Sequence, residues 1–162
     1  MADTLMNAKD TVSGALGKCY VTLHKNAGDE RHLLMQVTKV EAKIDKTKTE
    51  VPIMGKTGKG NKATGWKGTG TATLHYCTSI FRELLEQYKR TGEDIYFDME
   101  VYNQDGGSAA GKQITILKQC NLDGGIIAKI DANSEVLDED ISFTFDDFTL
   151  KKSFTPLSGM TV

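Results

Sequence analysis

Proline and long apolar runs are scarce in this chain of 162 residues. Two prolines argue against a proline-rich linker protein. No stretch approaches the roughly 18 consecutive apolar residues of a membrane-spanning helix, and the first residues lack a basic segment followed by an apolar one. We therefore expect no stable membrane association and no secretory signal.

Cysteine is also rare, and its spacing does not suggest a disulfide framework. Cys19, Cys77 and Cys120 are odd in number and far apart, and no Cys-x-x-Cys motif is present. Free thiols of this kind are typical of proteins kept in a reducing compartment. The sequence thus predicts a protein made and used in cytoplasm.

The chain contains enough apolar material for one domain. Hydrophobic residues make up 39% of it and charged residues 26%, which is too apolar for a disordered chain. A domain of this length buries about 70% of its unfolded surface. Without an internal repeat or a domain boundary, residues 1–162 are predicted to form a single domain.

Charge is unevenly distributed, although the net charge is only −2. Eight lysines and three acids lie between Lys39 and Lys67, whereas seven acids and no basic residue lie between Asp131 and Asp147. A nearly neutral protein with a basic and an acidic region is suited to stacking head to tail on its own copies. Two solvated loops of opposite sign would give the same pattern.

Alternation of apolar and polar residues is the dominant local pattern. Every second residue from Ile95 to Val101 is apolar, which is typical of an antiparallel strand with one buried face. In two of the candidate strands the alternation slips by one residue, near Thr38 and near Asp146, which predicts a bulge or a bend. The candidate strands are Lys18–His24, Leu33–Lys46, Gly65–Cys77, Asp94–Tyr102, Lys112–Leu122, Gly125–Ile130 and Ile141–Leu150.

One segment, Ser79–Arg90, has the spacing of an amphipathic helix. Thr78 or Ser79 could cap its start, and Gly92 supplies a left-handed stop. We therefore predict a mainly β protein: an antiparallel β-sandwich or open barrel of about seven strands with one packed α-helix.

The segment Thr47–Gly70 is rich in glycine and lysine and joins two long predicted strands. A structureless loop of this length is uncommon in a compact domain and usually marks function or disorder. The segment nevertheless carries apolar residues, among them Val51, Met54 and Trp66, that a permanently solvated loop has no reason to keep. We predict an arm, mobile in the lone protomer, that becomes ordered against another molecule.

Other readings of the same residues are weaker. Gly55-Lys56-Thr57 resembles the end of a phosphate-binding loop, but Glu50 stands where the first glycine should be and no helix pattern follows. His75 and Cys77 share one strand face without further metal ligands nearby in the sequence. We therefore predict no catalytic residue, no metal site and no cofactor.

A family resemblance is carried by Lys46–Tyr76, Ser79–Leu84, Tyr88–Asp98 and Leu137–Phe148, and the run Gly-Trp-Lys-Gly-Thr-Gly within the first stretch is its most specific part. The chain, from Leu16 to about Phe154, closely resembles the tail tube protein of contractile phage tails, in the group typified by the defective prophage PBSX of Gram-positive bacteria. R-type bacteriocins use the same tube.

The resemblance implies a non-enzymatic subunit of stacked hexameric rings, in which strands from the ring close one continuous β-barrel around a lumen for DNA or ions. It implies assembly in the bacterial host cytoplasm into a virion or tail-like particle. The implied partners are other copies of the chain, the sheath, the baseplate or tail initiator and the tape-measure protein, with DNA only as transported cargo. It also implies a single tail-tube domain with a flexible segment at about residues 1–15, an inter-ring loop at about 47–65 and a short tail at about 155–162.

Three sets of residues receive roles on this interpretation. The inter-ring or inter-subunit contact is assigned to Lys46, Lys48, Val51, Ile53, Met54, Lys56, Lys59, Lys62 and Trp66. Its acidic counterpart is assigned to Asp138, Glu139, Asp140, Asp146 and Asp147. The candidate lumen face is Thr69, Thr71, Thr73 and His75, for which an ordinary solvent-exposed face is the alternative.

A second hypothesis from another functional class uses the same arm. In it, the chain is a small soluble binding module whose lysine- and glycine-rich loop binds nucleic acid or another polyanion. Only one aromatic residue lies among the lysines, and the net charge is negative, both of which argue against this hypothesis. A binding module predicts salt-sensitive affinity for polyanions without self-association, whereas a tube subunit predicts rings or tubes.

Overall fold

The structure, a computed structural model, describes residues 5–160. The strands are β1 (Lys18–Lys25), β2 (Gly28–Leu33), β3 (Val37–Val51), β4 (Gly60–His75), β5 (Phe97–Gln104), β6 (Lys112–Gly124), β7 (Asp138–Phe145) and β8 (Asp147–Lys152). The helix α1 is Ile80–Thr91, and two 3-10 turns, Ala8–Asp10 and Gly14–Leu16, precede β1. No helix within the described part of the chain is long and apolar enough to span a bilayer.

All eight strands belong to one antiparallel sheet that folds over on itself. The strand order is β2-β1-β5-β6-β7-β4-β3, with β8 also paired to β6. β6 connects two layers, because its residues up to Cys120 pair with β5 whereas Asn121–Gly124 pair only with β7. The first layer contains β2, β1, β5, β8 and most of β6; the second contains β7, β4, β3 and the end of β6. The predicted mainly β fold with one helix is confirmed, with eight strands rather than about seven.

The core lies between the two layers and under the helix. Phe97 of the first layer contacts Phe143 of the second, with ring centroids 6.2 Å apart. Phe81 of α1 also packs against Phe97, with ring centroids 5.8 Å apart. Val21, Leu23, Leu74, Met99 and Cys120 complete the fully buried centre.

The helix was predicted almost to the residue. It begins one residue after Ser79 and ends at Gly92, whose φ of +74° is the left-handed stop that glycine adopts readily. Ser79 is the N-cap position, but its side chain makes no capping hydrogen bond. The predicted side-chain cap at Ser79 is therefore wrong.

Two of the predicted strands do not exist as such in the structure, and the ends of several others are shifted. Leu33–Lys46 is not one strand, because β2 ends at Leu33 and β3 begins at Val37. The intervening turn carries Leu34 and Gln36 inward and leaves Met35 outward, which produced the apparent slip in alternation. Gly125–Ile130 is not a strand, since this segment makes no ladder pairing among the described residues.

A bend or an irregular register is present at both places where the alternation of apolar and polar residues slips. β3 has an irregular register between Val37 and Lys39, and the strand predicted over Ile141–Leu150 is divided at Asp146 into β7 and β8. The bend lets β7 pair with β4 while β8 pairs with β6 alone. Such breaks are typical of a sheet that turns from one layer to the next.

The chain ends only partly fall within the described residues. Of the segment predicted to be flexible, residues 1–4 lie outside them, and the remainder contains both 3-10 turns. The backbone N–H of Ser13 donates to Asp105, at 3.0 Å. Residues 161–162 of the predicted C-terminal tail also lie outside the described part. The mobility of both ends stays a prediction.

Candidate assembly surfaces

The most prominent surface feature is a hairpin that projects beyond the rest of the sheet. β3 and β4 pair without interruption from Val37↔Leu74 to Val51↔Gly60, apart from two register shifts. β7 pairs with β4 only over Gly68–His75, so beyond Gly68 the hairpin has no further strand neighbour within residues 5–160. We call residues 45–67 the arm. From Asp45 to Val51 the strands of the arm are about 20 Å long, and the terminal loop lies beyond them.

The arm was predicted as a structureless loop, and that prediction is wrong. The loop proper contains only residues 52–59, and the flanking residues are strand. Lysines and threonines cannot build a core, but a β-ladder needs only backbone donors and acceptors, which the two long strands supply to each other. At the end, the N–H of Lys56 donates to the carbonyl of Ile53 at 3.2 Å, with Gly55 at φ +80°. The inter-ring role of this segment remains a prediction.

The arm presents uncovered apolar side chains at its end. Met54 is fully exposed, and Val51 and Ile53 are each more than a third exposed. The lysines around them are exposed too, and the ion pair between Lys59 and Glu50, at 3.2 Å, lies on the surface. The structure therefore places seven of the nine predicted contact residues, all except Lys46 and Trp66, along the outer part of a single arm.

Trp66 lies at the base of the arm, where it partly contacts its own chain. Its ring packs against Phe145 at 6.3 Å and Phe148 at 5.9 Å, which leaves it 44% exposed. Lys46 is its cross-strand neighbour on β3. Both residues belong to the junction between arm and body rather than to the end of the arm.

The predicted lumen face is a continuous polar surface on the second layer. Gly68, Gly70, Ala72 and Leu74 are buried, and the alternating side chains Thr69, Thr71, Thr73 and His75 point away from the core. Across the ladder lie Thr144, Ser142, Asp140 and Asp138 of β7.

Hydrogen bonds hold part of this polar surface in place. Thr73 donates to Asp140 at 2.7 Å, and His75 Nδ1 lies 2.6 Å from Asp138. On the β3 side, the lysines alternate with acids, so that Lys39 lies 3.7 Å from Glu41 and Lys43 lies 3.6 Å from Asp45. The face therefore has no uncompensated row of positive charge along these strands.

The predicted acidic counterpart is divided among three places. Asp138 and Asp140 lie on the polar face at the end farthest from the arm, whereas Asp146 and Asp147 lie at the bend beside its base. Glu139 is 4% exposed, and its carboxylate accepts from Arg82 at 2.7 Å. Its assignment as an external contact is wrong, because alternation on β7 turns it into the interior.

Each layer has two open edges among residues 5–160. In the second layer, β3 has no strand neighbour on the side away from β4, and the end of β6 is unpaired on the side away from β7. In the first layer, β2 pairs only with β1 and β8 only with β6. Exposed edges of this length are templates for pairing with another chain.

The outer face of the first layer carries a cluster that no sequence pattern predicted. Arg31 makes two hydrogen bonds to Glu100, at 3.2 and 2.9 Å, and its guanidinium lies 4.5 Å from the centre of the Tyr20 ring. The Arg31 bond holds the pKa of Glu100 below its ordinary value. These residues meet because β2, β1 and β5 are neighbours, and only the pairing order reveals that.

Metal-ligand clusters and cysteine reactivity were the remaining candidate features of residues 5–160. No group of three or more histidine, cysteine, aspartate or glutamate residues within 5–160 is placed to hold a metal ion. Burial raises the pKa of the Cys19 and Cys120 thiols to about 12, so neither is a thiolate near neutral pH.

Comparison with known protein families shows which family the chain belongs to. A sequence model of the family described as "Phage tail tube protein" matches residues 4–151 of the chain. The chain belongs to the phage tail tube protein family. It is thus a tail tube subunit and a component of phage tails, and the predicted family and function are confirmed.

A relative in Bacillus subtilis agrees with that assignment. This tail tube protein is 35% identical to the phage-like element PBSX protein XkdM of Bacillus subtilis (strain 168) over 150 residues, which cover 93% of this chain and 97% of the relative.

Two solved structures have the same fold at low sequence identity. One is from the sheath-tube complex of an extracellular contractile injection system, PVC, in its extended state, with a TM-score of 0.59, 12% identity and coverage of 83% of this chain and 88% of that one. The other is from the baseplate of the anti-feeding prophage, with a TM-score of 0.58, 9% identity and coverage of 82% and 91%. These two similarities show that the fold is shared.

Proposed function

We propose that this tail tube protein acts without catalysis, as a subunit of stacked hexameric rings with a central lumen. The observation that supports this most directly is the pair of open edges on the second layer, at β3 and at the end of β6. Antiparallel pairing of one copy's β3 with the end of the next copy's β6 covers the β6 edge and the part of β3 beside it, and it joins the second layers into one barrel. The number of six copies in each ring is what the family resemblance implies.

The polar face fits the lumen of such a barrel. Thr69, Thr71 and Thr73 carry no charge, and the β3 lysines beside them have acidic neighbours. Phosphate affinity comes from lysine and arginine that neutralise phosphates, so a face of this kind lets DNA or ions pass without gripping them. The opposite layer then faces outward, where a sheath would surround the tube.

The remaining partners follow from the related particles. Because fold relatives come from a sheath-tube complex and from a baseplate, we propose that a sheath, a baseplate or tail initiator and a tape-measure protein contact this tube. We further propose a contractile particle, either phage or R-type bacteriocin, assembled in bacterial host cytoplasm. The arm makes the inter-ring contact, since it projects beyond its own sheet.

Shortening the arm tests the proposal. Lys48 and Ala63 are cross-strand partners, so residues 49–62 can be replaced by Asn-Gly, a two-residue turn that closes the shortened hairpin. We expect the free energy of unfolding of the protomer to change by less than about 1 kcal/mol, because the removed residues contribute nothing to the core. Electron microscopy should then show single rings where the natural protein forms tubes.

A matched insertion provides the control, and two outcomes would contradict the proposal. Two added residues within 105–107, a turn between β5 and β6 that lies outside the arm, should leave stacking intact. Loss of folding in the shortened variant would mean that the arm stabilises its own body. Salt-sensitive DNA binding by the natural protein, with no self-association, would favour the polyanion-binding module instead.

A further inference from the structure

An apolar groove of about 490 Å³ lies beside the start of β3, at the open edge of the second layer. The start of β3 bounds it on one side, and the adjacent ends of β1 and β5 bound it on the other. Its charged lining residues are Lys18 and Lys39, and none of the residues within 5–160 that line it is acidic. An apolar segment with acidic neighbours therefore fits this groove. Its apolar lining includes Leu33, Leu34, Met35, Val37, Val40 and Val101.

The groove is held open by fixed neighbours. Gln36, in the turn between β2 and β3, is buried and donates from its side chain to Thr78 at 3.0 Å. Its carbonyl accepts from the N–H of His75 at 2.9 Å. With Leu34 and Gln36 turned inward, Met35 is turned outward and is 85% exposed. Exposed apolar residues beside a preformed apolar groove indicate a binding surface.

The loop between β6 and β7, residues 125–137, carries uncovered apolar side chains, and we call it the β6–β7 loop. Ile130 is 96% exposed, and Ile127 and Val136 are each more than half exposed. The loop is nevertheless held by its own hydrogen bonds, among them one from the hydroxyl of Ser134 to the carbonyl of Val136, at 2.7 Å. A hydrogen-bonded loop that leaves three large apolar side chains in water is a candidate contact surface.

The charges of the β6–β7 loop complement those of the groove. Asp131 and Glu135 are exposed beside its apolar residues. Its one basic residue, Lys129, donates to the backbone carbonyl of Asp138 in the same chain, at 2.6 Å. The loop therefore offers acidic groups to a partner, whereas the groove offers lysines.

The groove and the β6–β7 loop lie at opposite edges of the second layer, and strand direction brings them together in a ring. Through the ladders of β7 and β4, Asn121 is level with Lys43 of β3, and Gly124 is level with Glu41. β6 therefore runs toward the start of β3. Because rotation about the ring axis keeps every copy's β3 in the same direction, the loop that follows one copy's β6 continues toward the start of the next copy's β3.

We propose that the groove receives the β6–β7 loop of the adjacent copy in the same ring, with the loop's isoleucines in the groove and its acids near Lys18 and Lys39. This inference rests on the proposed function, and it adds a side-chain contact to the backbone pairing of the edges. Burial of the isoleucines removes apolar area from water on both partners, and the charges set the orientation. The contact joins two different surfaces, so it repeats from copy to copy until the ring closes.

Cysteine crosslinking tests the proposal in the assembled protein. The exposed native thiol is removed by Cys77→Ser, and the buried Cys19 and Cys120 stay unreactive. Met35→Cys in the groove and Ile130→Cys in the loop are then introduced together, and the assembly is treated with a short bis-maleimide. On a denaturing gel we expect a ladder of covalent multimers that ends at the number of copies in one ring, because each copy is joined only to its neighbours around that ring.

Matched variants keep the test specific. Ala27→Cys with Ile130→Cys moves the first thiol to the exposed turn between β1 and β2, at the other end of β1 from the groove, and should give no ladder. Thr38→Cys with Ala132→Cys, a second pair made from smaller exposed side chains in the groove and the loop, repeats the test where the first pair prevents ring assembly.

The outcomes separate this inference from the proposed function. Rings that form without crosslinking between groove and loop would overturn the inference and leave the proposed function standing. A ladder that continues beyond one ring would place the contact between rings and would overturn it as well, and so would an equal ladder from the Ala27→Cys pair. Absence of rings and tubes from the natural protein would overturn the proposed function itself.

Discussion

The two halves of the β3–β4 hairpin have the same backbone pairing but different surroundings. From Gly68 to His75, β4 lies between two strands, and the rings of Phe143 and Phe145 cover its glycines. In the arm, the two strands have only each other among the described residues, and their side chains are largely exposed. Contacts with the rest of the protomer therefore stabilise the inner half, while the outer half depends on its own ladder and leaves its side chains exposed.

The largest expected difference concerns charge. Replacing Arg82 by leucine leaves the buried carboxylate of Glu139 without its ion-pair partner, and we expect a loss of about 3 kcal/mol in the free energy of unfolding. Lys59→Leu in the arm removes an ion pair whose members are both exposed, and it should cost less than about 0.5 kcal/mol. Urea unfolding of both variants measures the difference, and equal losses would contradict it.

Glycine positions should separate the two halves in the same way. A Cβ at Gly70 would lie 2.3 Å from the ring of Phe143, a buried side chain that has little room to move. We expect Gly70→Ala to destabilise the protomer by about 2 kcal/mol. Gly65→Ala in the arm, where nothing lies within 4 Å, should change stability by less than about 0.5 kcal/mol. Thermal or urea unfolding checks both, and a tolerated Gly70→Ala would show that the ring can shift.

Trp66 marks the boundary and should give an intermediate effect. Its contacts with Phe145 and Phe148 are those of a half-exposed side chain, so Trp66→Ala should cost about 1 kcal/mol, less than a fully buried tryptophan. Met54→Ala at the tip is the control and should leave the unfolding free energy unchanged. A loss above about 3 kcal/mol at Trp66 would place it in the core rather than at the boundary.

The smallest effect concerns pH, and it should come from the body alone, because the arm contains no histidine. The ring of His24 lies between Asp29 at 2.9 Å and Asp98 at 3.2 Å, and the hydrogen bond to Asp29 raises the pKa of His24 above its ordinary 6.5. This stabilisation is complete below pH 6.5 and is lost as the pH rises through the higher pKa of the folded state.

His24→Gln should remove this contribution, which we expect to be about 0.5 kcal/mol because the group is partly exposed. The measurement is the difference in unfolding free energy between the two proteins at mildly acidic and mildly alkaline pH. A difference that grows with rising pH would have the wrong sign and would contradict this origin.

Local patterns predicted much of the fold. The alternation around Phe97 and the spacing of Phe81 and Leu84 gave the strand and the helix, because side-chain period follows directly from backbone geometry. The same alternation correctly separated the threonines of β4 from its buried residues. It failed at Gly28–Leu33, where mostly polar residues form a strand because β1 is available to pair with them.

The candidate surfaces were predicted less completely, for a different reason. Counting charges grouped Glu139 with Asp138 and Asp140, although a neighbour on a strand points to the opposite face. The contact of Arg31 with Glu100 and Tyr20 could not be predicted, since these residues meet only because β2, β1 and β5 are neighbours. Composition likewise suggested a mobile loop where two long strands pair.

The sequence by itself determined the class of the protein: its period-two alternation, its single amphipathic helix and its separated basic and acidic regions are local properties of the chain. The tertiary structure decided which strands pair, where the sheet bends and which edges stay open. Those features depend on contacts between residues far apart in sequence, and backbone pairing is indifferent to most side chains. That is why a lysine- and glycine-rich segment could become a projecting arm.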